Sequence, residues 1–422
     1  MAQDDNIEIR DFDMDKDMTA LQRIWREIGW SDSERVDQAM ITFYSEGSCS
    51  VAVIKGTAQD RPVGSDSVEC AVHAISGTKR LEETDLPLCV IAAVTTSRVA
   101  RGLSLAQKLT ARELAKARDR GAAVAVLGMF DQGFYDKVGF GTGAYMNEFR
   151  FDPSTLKVDL QPRAPKRLSP DDFESMLAAL IARPRFHGAV VIQHPKCLQA
   201  ELAMEDGFGL GYYTNDRLTH FVWMVPKGEH GPYKVKWMGY EDGHGLLELL
   251  ALLKSLGDQV YSVHMVEPPH VQLQSMMKRP FRGQAIAEEG NYSAEQNTCA
   301  WYQLRVLDPA ACVQALSYQG PELSFRLRLQ DPLDSLLASD QGWQPISGSY
   351  EVTLGQHSSF VTATGESAQP VLSCSVNTFS RLIWGVAPAS SLAISDGLQG
   401  PPELLTALDR VFRPNPNPGW DF

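Results

Sequence analysis

Leu88-Cys89-Val90-Ile91-Ala92-Ala93-Val94-Thr95 is followed by Arg98-Val99-Ala100-Arg101-Gly102-Leu103-Ser104, and later by Phe134-Tyr135-Asp136-Lys137-Val138-Gly139-Phe140-Gly141. The first run is almost continuously apolar, as a strand buried on both faces requires. After the glycine turn, Leu105, Leu109 and Leu114 recur at helical spacing up to Gly121, a suitable C-terminal stop. Ala122 to Leu127 reads as a second buried strand, and Asp131 is placed to cap a short helix carrying Tyr135.

A helix start offers free N–H groups and partial positive charge, which suit a pyrophosphate. Gly102 permits close backbone approach and Arg101 adds countercharge. Tyr135 could then protonate a leaving thiolate near the ends of the two strands. In this order the parts describe acyl transfer from a coenzyme A thioester. Taken singly, each has an ordinary reading: an Arg-Gly turn is commonplace, and a lone tyrosine is usually a packed aromatic.

The joint pattern resembles the GCN5-related N-acetyltransferase (GNAT) superfamily. There, the strand–turn–helix carries Gln/Arg-x-x-Gly-x-Gly/Ala, and a later Phe-Tyr-x-x-x-Gly-Phe phrase carries the general acid. The second phrase is present from Phe134 to Phe140; the first departs from the pattern at Val99 and Ser104 but keeps Gly102. The resemblance implies acetyl-CoA as cosubstrate. Its site would include Ala92, Ala93 and Val94 for the thioester carbonyl, and Ala100, Arg101, Gly102, Leu103, Ser104 and Leu105 for the pyrophosphate. Phe130 and Asp131 would flank the cofactor, and Tyr135 would be the acid.

At 422 residues the chain exceeds one core. We expect an α/β (α+β) architecture of two tandem GNAT-type domains, residues 1–152 and 153–300, and a sterol-carrier-like α+β domain, residues 301–422. In the first, Ile7 and Ile9 start a strand, Met18, Leu21, Ile24, Trp25 and Ile28 share a helical face, and strands fall around Ser50–Lys55 and Cys70–Ser76. The connector 161–167 leads to a capped helix start at Ser169-Pro170-Asp171-Asp172. Strands are expected around Gln199–Ala203, His220–Val225, Tyr233–Met238 and Val260–Val266, with a helix through Leu246–Leu253. This second domain lacks a basic glycine turn and a Phe-Tyr-x-x-x-Gly-Phe phrase, so it reads as a non-catalytic copy. Its Glu241-Asp242-Gly243-His244-Gly245 turn would repel phosphate, and Gly207–Gly211 lacks the context of a dinucleotide fingerprint. In the third, a helix is expected over Asp308–Tyr318 and antiparallel strands over Leu323–Leu329, Tyr350–Leu354 and Leu372–Val376. Helices Thr378–Trp384 and Glu403–Phe412 close it.

The formal charge of −13 argues against nucleic acid, whose binding needs a basic face, and is compatible with a cationic substrate. Seven scattered cysteines without a Cys-x-x-Cys pair, and histidines without ligand spacing, point away from disulfides and metal and toward a reducing compartment. No stretch reaches membrane-spanning length and the first residues form no leader, so a cytoplasmic protein is expected.

The ending, Arg413-Pro414-Asn415-Pro416-Asn417-Pro418-Gly419-Trp420-Asp421-Phe422, is stiffened by prolines and finishes on aromatics, which suits docking rather than disorder. With the three-part order, Asp331-Pro332-Leu333, Gly348-Ser349-Tyr350 and Leu382-Ile383-Trp384-Gly385, it resembles the Eis (enhanced intracellular survival) family over essentially the whole chain. That resemblance implies that the Phe422 carboxylate is the general base and that Asp421 contacts a cationic amine (aminoglycoside, polyamine or lysine). It also implies a homo-oligomer, trimer or hexamer. A His that the family can carry seven residues before the acid is Gly128 here, a difference that bears on substrate range. The competing reading is a lipid or sterol carrier with a vestigial first domain.

Overall fold

The computed structural model describes residues 6–55, 67–280, 294–338, 342–365 and 368–419. The chain divides into two compact units. One comprises Met1–Ala144, His187–His194 and Trp301–Pro416, the other Tyr145–Phe186, Pro195–Ala300 and Asn417–Phe422. This division differs from the three sequential segments expected: Trp301–Pro416 joins the first unit, because its strand Tyr302–Val306 enters the first unit's sheet.

In the first unit β1 (Ile7–Asp11) leads to α1 (Met14–Ile28), α2 (Glu34–Phe43), β2 (Ser48–Ile54), β3 (Ser67–Leu81) and β4 (Thr84–Thr96). Asp13 caps α1 by accepting from Asp15 N and Lys16 N, and Gly29 ends it at φ 81°. Then follow α3 (Leu105–Asp119), β5 (Val124–Gly128), α4 (Gln132–Asp136) and β6 (Gly141–Thr142). Strands β1 to β5 lie in sequence order, Tyr302–Val306 pairs antiparallel between β5 and β6, and Val190–Ile192 pairs with β3. Leu105, Leu109 and Leu114 of α3 are buried with Cys70, Val72, Ile91 and Leu127 of the sheet, and Leu307, Leu333 and Trp343 join the same cluster. One apolar core thus draws in the first and last parts of the sequence.

The last part also builds a four-stranded sheet in the order 359–362, 348–354, 323–330, 371–375. Leu323–Gln330 pairs parallel with Val371–Ser375, where antiparallel strands were expected. Alternation of apolar residues reports which face is buried but carries no information on strand direction.

The second unit holds a seven-stranded sheet in the order 295–299, 146–151, 263–266, 233–240, 217–226, 208–214, 166–168. Met146–Phe151, expected in the first domain, pairs with Val263–Val266 and Glu295–Cys299. Residues 199–203, expected as a strand, lie in the helix Pro195–Met204, which buries Cys197, Leu198, Ala200 and Leu202. Leu198 and Leu202 are one helical turn apart and Pro195 opens the first turn, so the period is 3.6 rather than 2. Gly209 and Gly211 are strand residues whose added Cβ would strike Trp223 and Leu218, which accounts for the glycine run as packing. No helix among the described residues is long and apolar enough to cross a membrane.

Candidate active site

The site begins where β4 and β5 part. Their parallel pairing covers Leu88–Ile91 against Val124–Leu127 and stops there. On the other edge of β4 the register with β3 slips: His73 faces Ala92 but Ala71 faces Thr95, and Ala93 takes φ 46°. This bulge takes Ala93 and Val94, next to Ala92, out of the register with β3, where backbone N–H groups can turn toward a ligand. The three residues are half-buried.

Beyond β4, a short 3₁₀ turn (Arg98–Ala100) leads through Gly102 (φ 84°) and Ser104 (φ 57°) into α3. Nothing lies within 4 Å of where a Gly102 Cβ would stand. Ser104 occupies the N-cap position, but its side chain makes no capping hydrogen bond. The first N–H groups of α3 are therefore left to an outside acceptor, which fits a pyrophosphate. Arg101 and Gly102 are exposed, Leu103 is half-buried, and Ala100 and Leu105 anchor the turn in the core. Arg98 is engaged with Glu27, whereas Arg101 has no ion-pair partner among the described residues. The matching helix of the second unit, Gly243–Ser255, differs: Asp242 accepts from Gly245 N at 2.8 Å and fills its own helix start with a carboxylate. That supports its reading as a non-catalytic copy.

At the end of β5, Asp131 Oδ1 accepts from Phe134 N at 3.0 Å and starts α4 as expected. Phe130 stands 73% exposed at the mouth of the strand. Tyr135 is only 2% exposed, its ring edge-on to Phe134 at 4.9 Å and Phe130 at 5.6 Å. Burial pushes its pKa up, so the phenol keeps its proton at neutral pH. With the ring enclosed, a donor role requires a ligand to reach the hydroxyl itself.

Sequence reasoning missed what holds α4. Gln303 Nε2 donates to Asp136 Oδ1 at 2.8 Å and to Gln132 O at 3.2 Å. Asn377 Nδ2 donates to Phe140 O at 2.7 Å and Asp136 O at 2.9 Å. Fully buried Arg305 donates to Val138 O at 2.7 Å and pairs with Asp331 at 2.5 Å. Gly139, at φ 86°, is the space into which that guanidinium fits: its Cβ would stand 1.7 Å from Arg305 Nη1. The available signal was an arginine inside the otherwise buried strand Tyr302–Val306, since a buried cation demands a partner.

Asp421 and Phe422 lie outside the described residues. The tail before them is held: Tyr302 Oη donates to Pro416 O at 3.4 Å, and Gly385 (φ 60°) meets the Arg413 carbonyl where a Cβ would stand 2.0 Å away. Among the described residues no three His, Cys, Asp or Glu side chains gather as a metal site.

Residues 54–143 match the model of an acetyltransferase (GNAT) domain. Solved structures share the fold over nearly the whole chain. A GCN5-related N-acetyltransferase from Kribbella flavida is 18% identical with TM-score 0.74, covering 99% of this chain and 98% of that one. A probable N-acyltransferase from Enterococcus faecalis is 14% identical with TM-score 0.75, covering 97% of each. The chain thus shares the fold of these proteins over nearly its whole length, and the GNAT-domain match itself spans residues 54–143. More particularly, Eis1 from Mycobacterium abscessus matches with TM-score 0.69 at 14% identity over 98% of each chain, which makes the fold Eis-like. No curated protein matches the sequence.

Proposed function

We propose that the protein transfers an acetyl group from acetyl-CoA to a primary amine of a cationic acceptor, such as a polyamine, an aminoglycoside or a lysine side chain. The observation that carries this reading is the uncapped start of α3 at Gly102–Leu105, set beside the bulge at Ala92–Val94. Residues Ala100–Leu105 would receive the pyrophosphate, and an N–H of Ala92–Val94 would polarise the thioester carbonyl. Phe130 and Asp131 would border the cofactor arm. The amine attacks directly, and Tyr135 gives its proton to the departing sulfur. The Phe422 carboxylate would take the amine proton, with Asp421 beside the acceptor's charge. A chain-terminal carboxyl ordinarily titrates near ~3.5, so this role needs burial or a relaying water. Assembly as a homo-oligomer, trimer or hexamer, in the cytoplasm belongs to the same reading.

The test is thiol release from acetyl-CoA across polyamines, aminoglycosides and lysine peptides. Release that depends on an amine, and that falls when residues are added after Phe422, supports the reading. Absence of amine-dependent release from every class overturns it. Full activity in the extended protein removes the terminal base.

A further inference from the structure

A second cluster lies at the opposite end of β4 and α3, about 20 Å away given the 1.5 Å rise of a 15-residue helix. The edge of β3 is covered by β2 as far as Ala74 and by Val190–Ile192 from Gly77 onward, and is open between them. Two segments converge on this gap. Val190–Ile192 carries His194 along the edge to Ser76, and Gly47 brings Glu46 close on the other side. Gly47 sits at φ 88°, and its Cβ would stand 2.7 Å from Ala74 O, so only glycine permits that approach. Buried His73 donates from Nε2 to the Glu46 carbonyl at 2.7 Å and fixes the segment.

Ser76 Oγ lies 2.7 Å from His194 Nε2, and His194 Nδ1 lies 3.5 Å from Glu46 Oε2. The Ser76 N–H also donates to Nε2, at 2.9 Å. An N–H donor there makes Nε2 the acceptor of the neutral ring and puts the ring proton on Nδ1, toward the carboxylate. That is the tautomer in which a histidine can take a serine proton, once Ser76 Oγ displaces the Ser76 N–H from the single lone pair of Nε2. Ser76 is exposed and the His194 side chain is 16% exposed. Both line a cavity of about 370 Å³ with apolar walls at Ile75, Leu88 and Ala122, and Arg120 lines it too.

We propose that Ser76, His194 and Glu46 form a hydrolytic site for short-chain carboxylic esters. Ser76 Oγ bonds to the ester carbonyl carbon while His194 Nε2 takes the hydroxyl proton, and Arg120 faces the developing oxyanion. The bond to the leaving alcohol breaks and the alcohol oxygen receives that proton, which leaves acyl-Ser76. Water then adds to the acyl carbon and gives its proton to Nε2. Ser76 Oγ departs with that proton and frees the carboxylic acid. Glu46, with Oε2 3.5 Å from Nδ1, acts as a positioning residue through its charge.

The ordinary alternative is that His194 merely replaces a missing strand partner for the Ser76 N–H. A fluorophosphonate probe and p-nitrophenyl acetate, applied to the full chain, separate the two. The proposal expects one equivalent of probe on Ser76, located by peptide mass spectrometry. It expects ester turnover to fall at least about 100-fold in Ser76→Ala and His194→Gln, and about tenfold in Glu46→Gln. Acetyl-CoA thiol release should be unchanged in Ser76→Ala, which also reports that the variant is folded and keeps this test separate from that of acetyl transfer. Absence of probe from Ser76, or equal ester turnover in wild type and Ser76→Ala, overturns the proposal.

Discussion

Gly139 and Gly102 have nearly the same backbone angle, φ 86° and 84°, but very different surroundings. Alanine at either position adopts a left-handed conformation costing about 1–2 kcal/mol. At Gly102 that is the whole effect, because nothing lies within 4 Å of the new methyl. At Gly139 the methyl would stand 1.7 Å from Arg305 Nη1 and 2.8 Å from Val376 Cγ1. Arg305 cannot withdraw without leaving Val138 O and Asp331, and both side chains of that ion pair are fully buried. Disrupting such a pair costs about 3–5 kcal/mol. Gly139→Ala should therefore be about 3 kcal/mol less stable than Gly102→Ala, or about 1 M in urea midpoint at a slope of ~3 kcal/mol/M. Urea unfolding of the two variants beside wild type, followed by tryptophan fluorescence, measures this. Adding Arg305→Met and Asp331→Leu to Gly139→Ala should restore much of the loss, since the obstructing cation is gone. Coincident midpoints for the two single variants would mean that Arg305 yields to the methyl at no cost.

Tyr135→Phe should lower acetyl transfer by about 10²–10⁴-fold and leave acetyl-CoA affinity unchanged, as turnover and calorimetry can show. Gln303→Leu frees α4 from the sheet and should reduce turnover by about tenfold through misplacement of Tyr135, again with unchanged acetyl-CoA affinity. Fully buried Lys79 donates to Gly188 O at 2.8 Å and meets no carboxylate among the described residues, and burial pulls its pKa down to about 7. Between pH 7 and its ordinary value the unfolded chain binds this proton and the folded chain does not. Stability should thus rise with pH across that window, by up to ~1.4 kcal/mol per unit, and level off below pH 7. Lys79→Met should remove that slope, read as denaturation midpoints at pH 7 and pH 9.

Local signals in the sequence placed the parts of the site, whereas the contacts that hold them were hidden by chain separation. The apolar run at Leu88, the glycine turn at Gly102 and the Asp131 cap each act within a few residues, and each appears where it was read. The bulge at Ala93 arises from pairing with β3 and has no local signature. Arg305 lies 167 residues from the Val138 carbonyl it supports, and His194 lies 118 residues from Ser76, so spacing could reveal neither. The helix Pro195–Met204 was misread because a short apolar stretch around Leu198 and Leu202 satisfies either period. Tyr302–Val306 read as a new beginning because a strand's sheet is set by partners it finds in space.

In the proposed function acetyl-CoA seats its phosphates on the open start of α3. Isothermal titration of acetyl-CoA into wild type and Gly102→Asp tests it most directly. An aspartate there tolerates the left-handed angle, has a Cβ with no atom within 4 Å and sets a negative charge near the helix start, much as Asp242 does in the second unit. Wild type should bind, and affinity should be at least about tenfold weaker in the variant, a loss of ~1.4 kcal/mol or more. Equal affinity in the two proteins would contradict that seating.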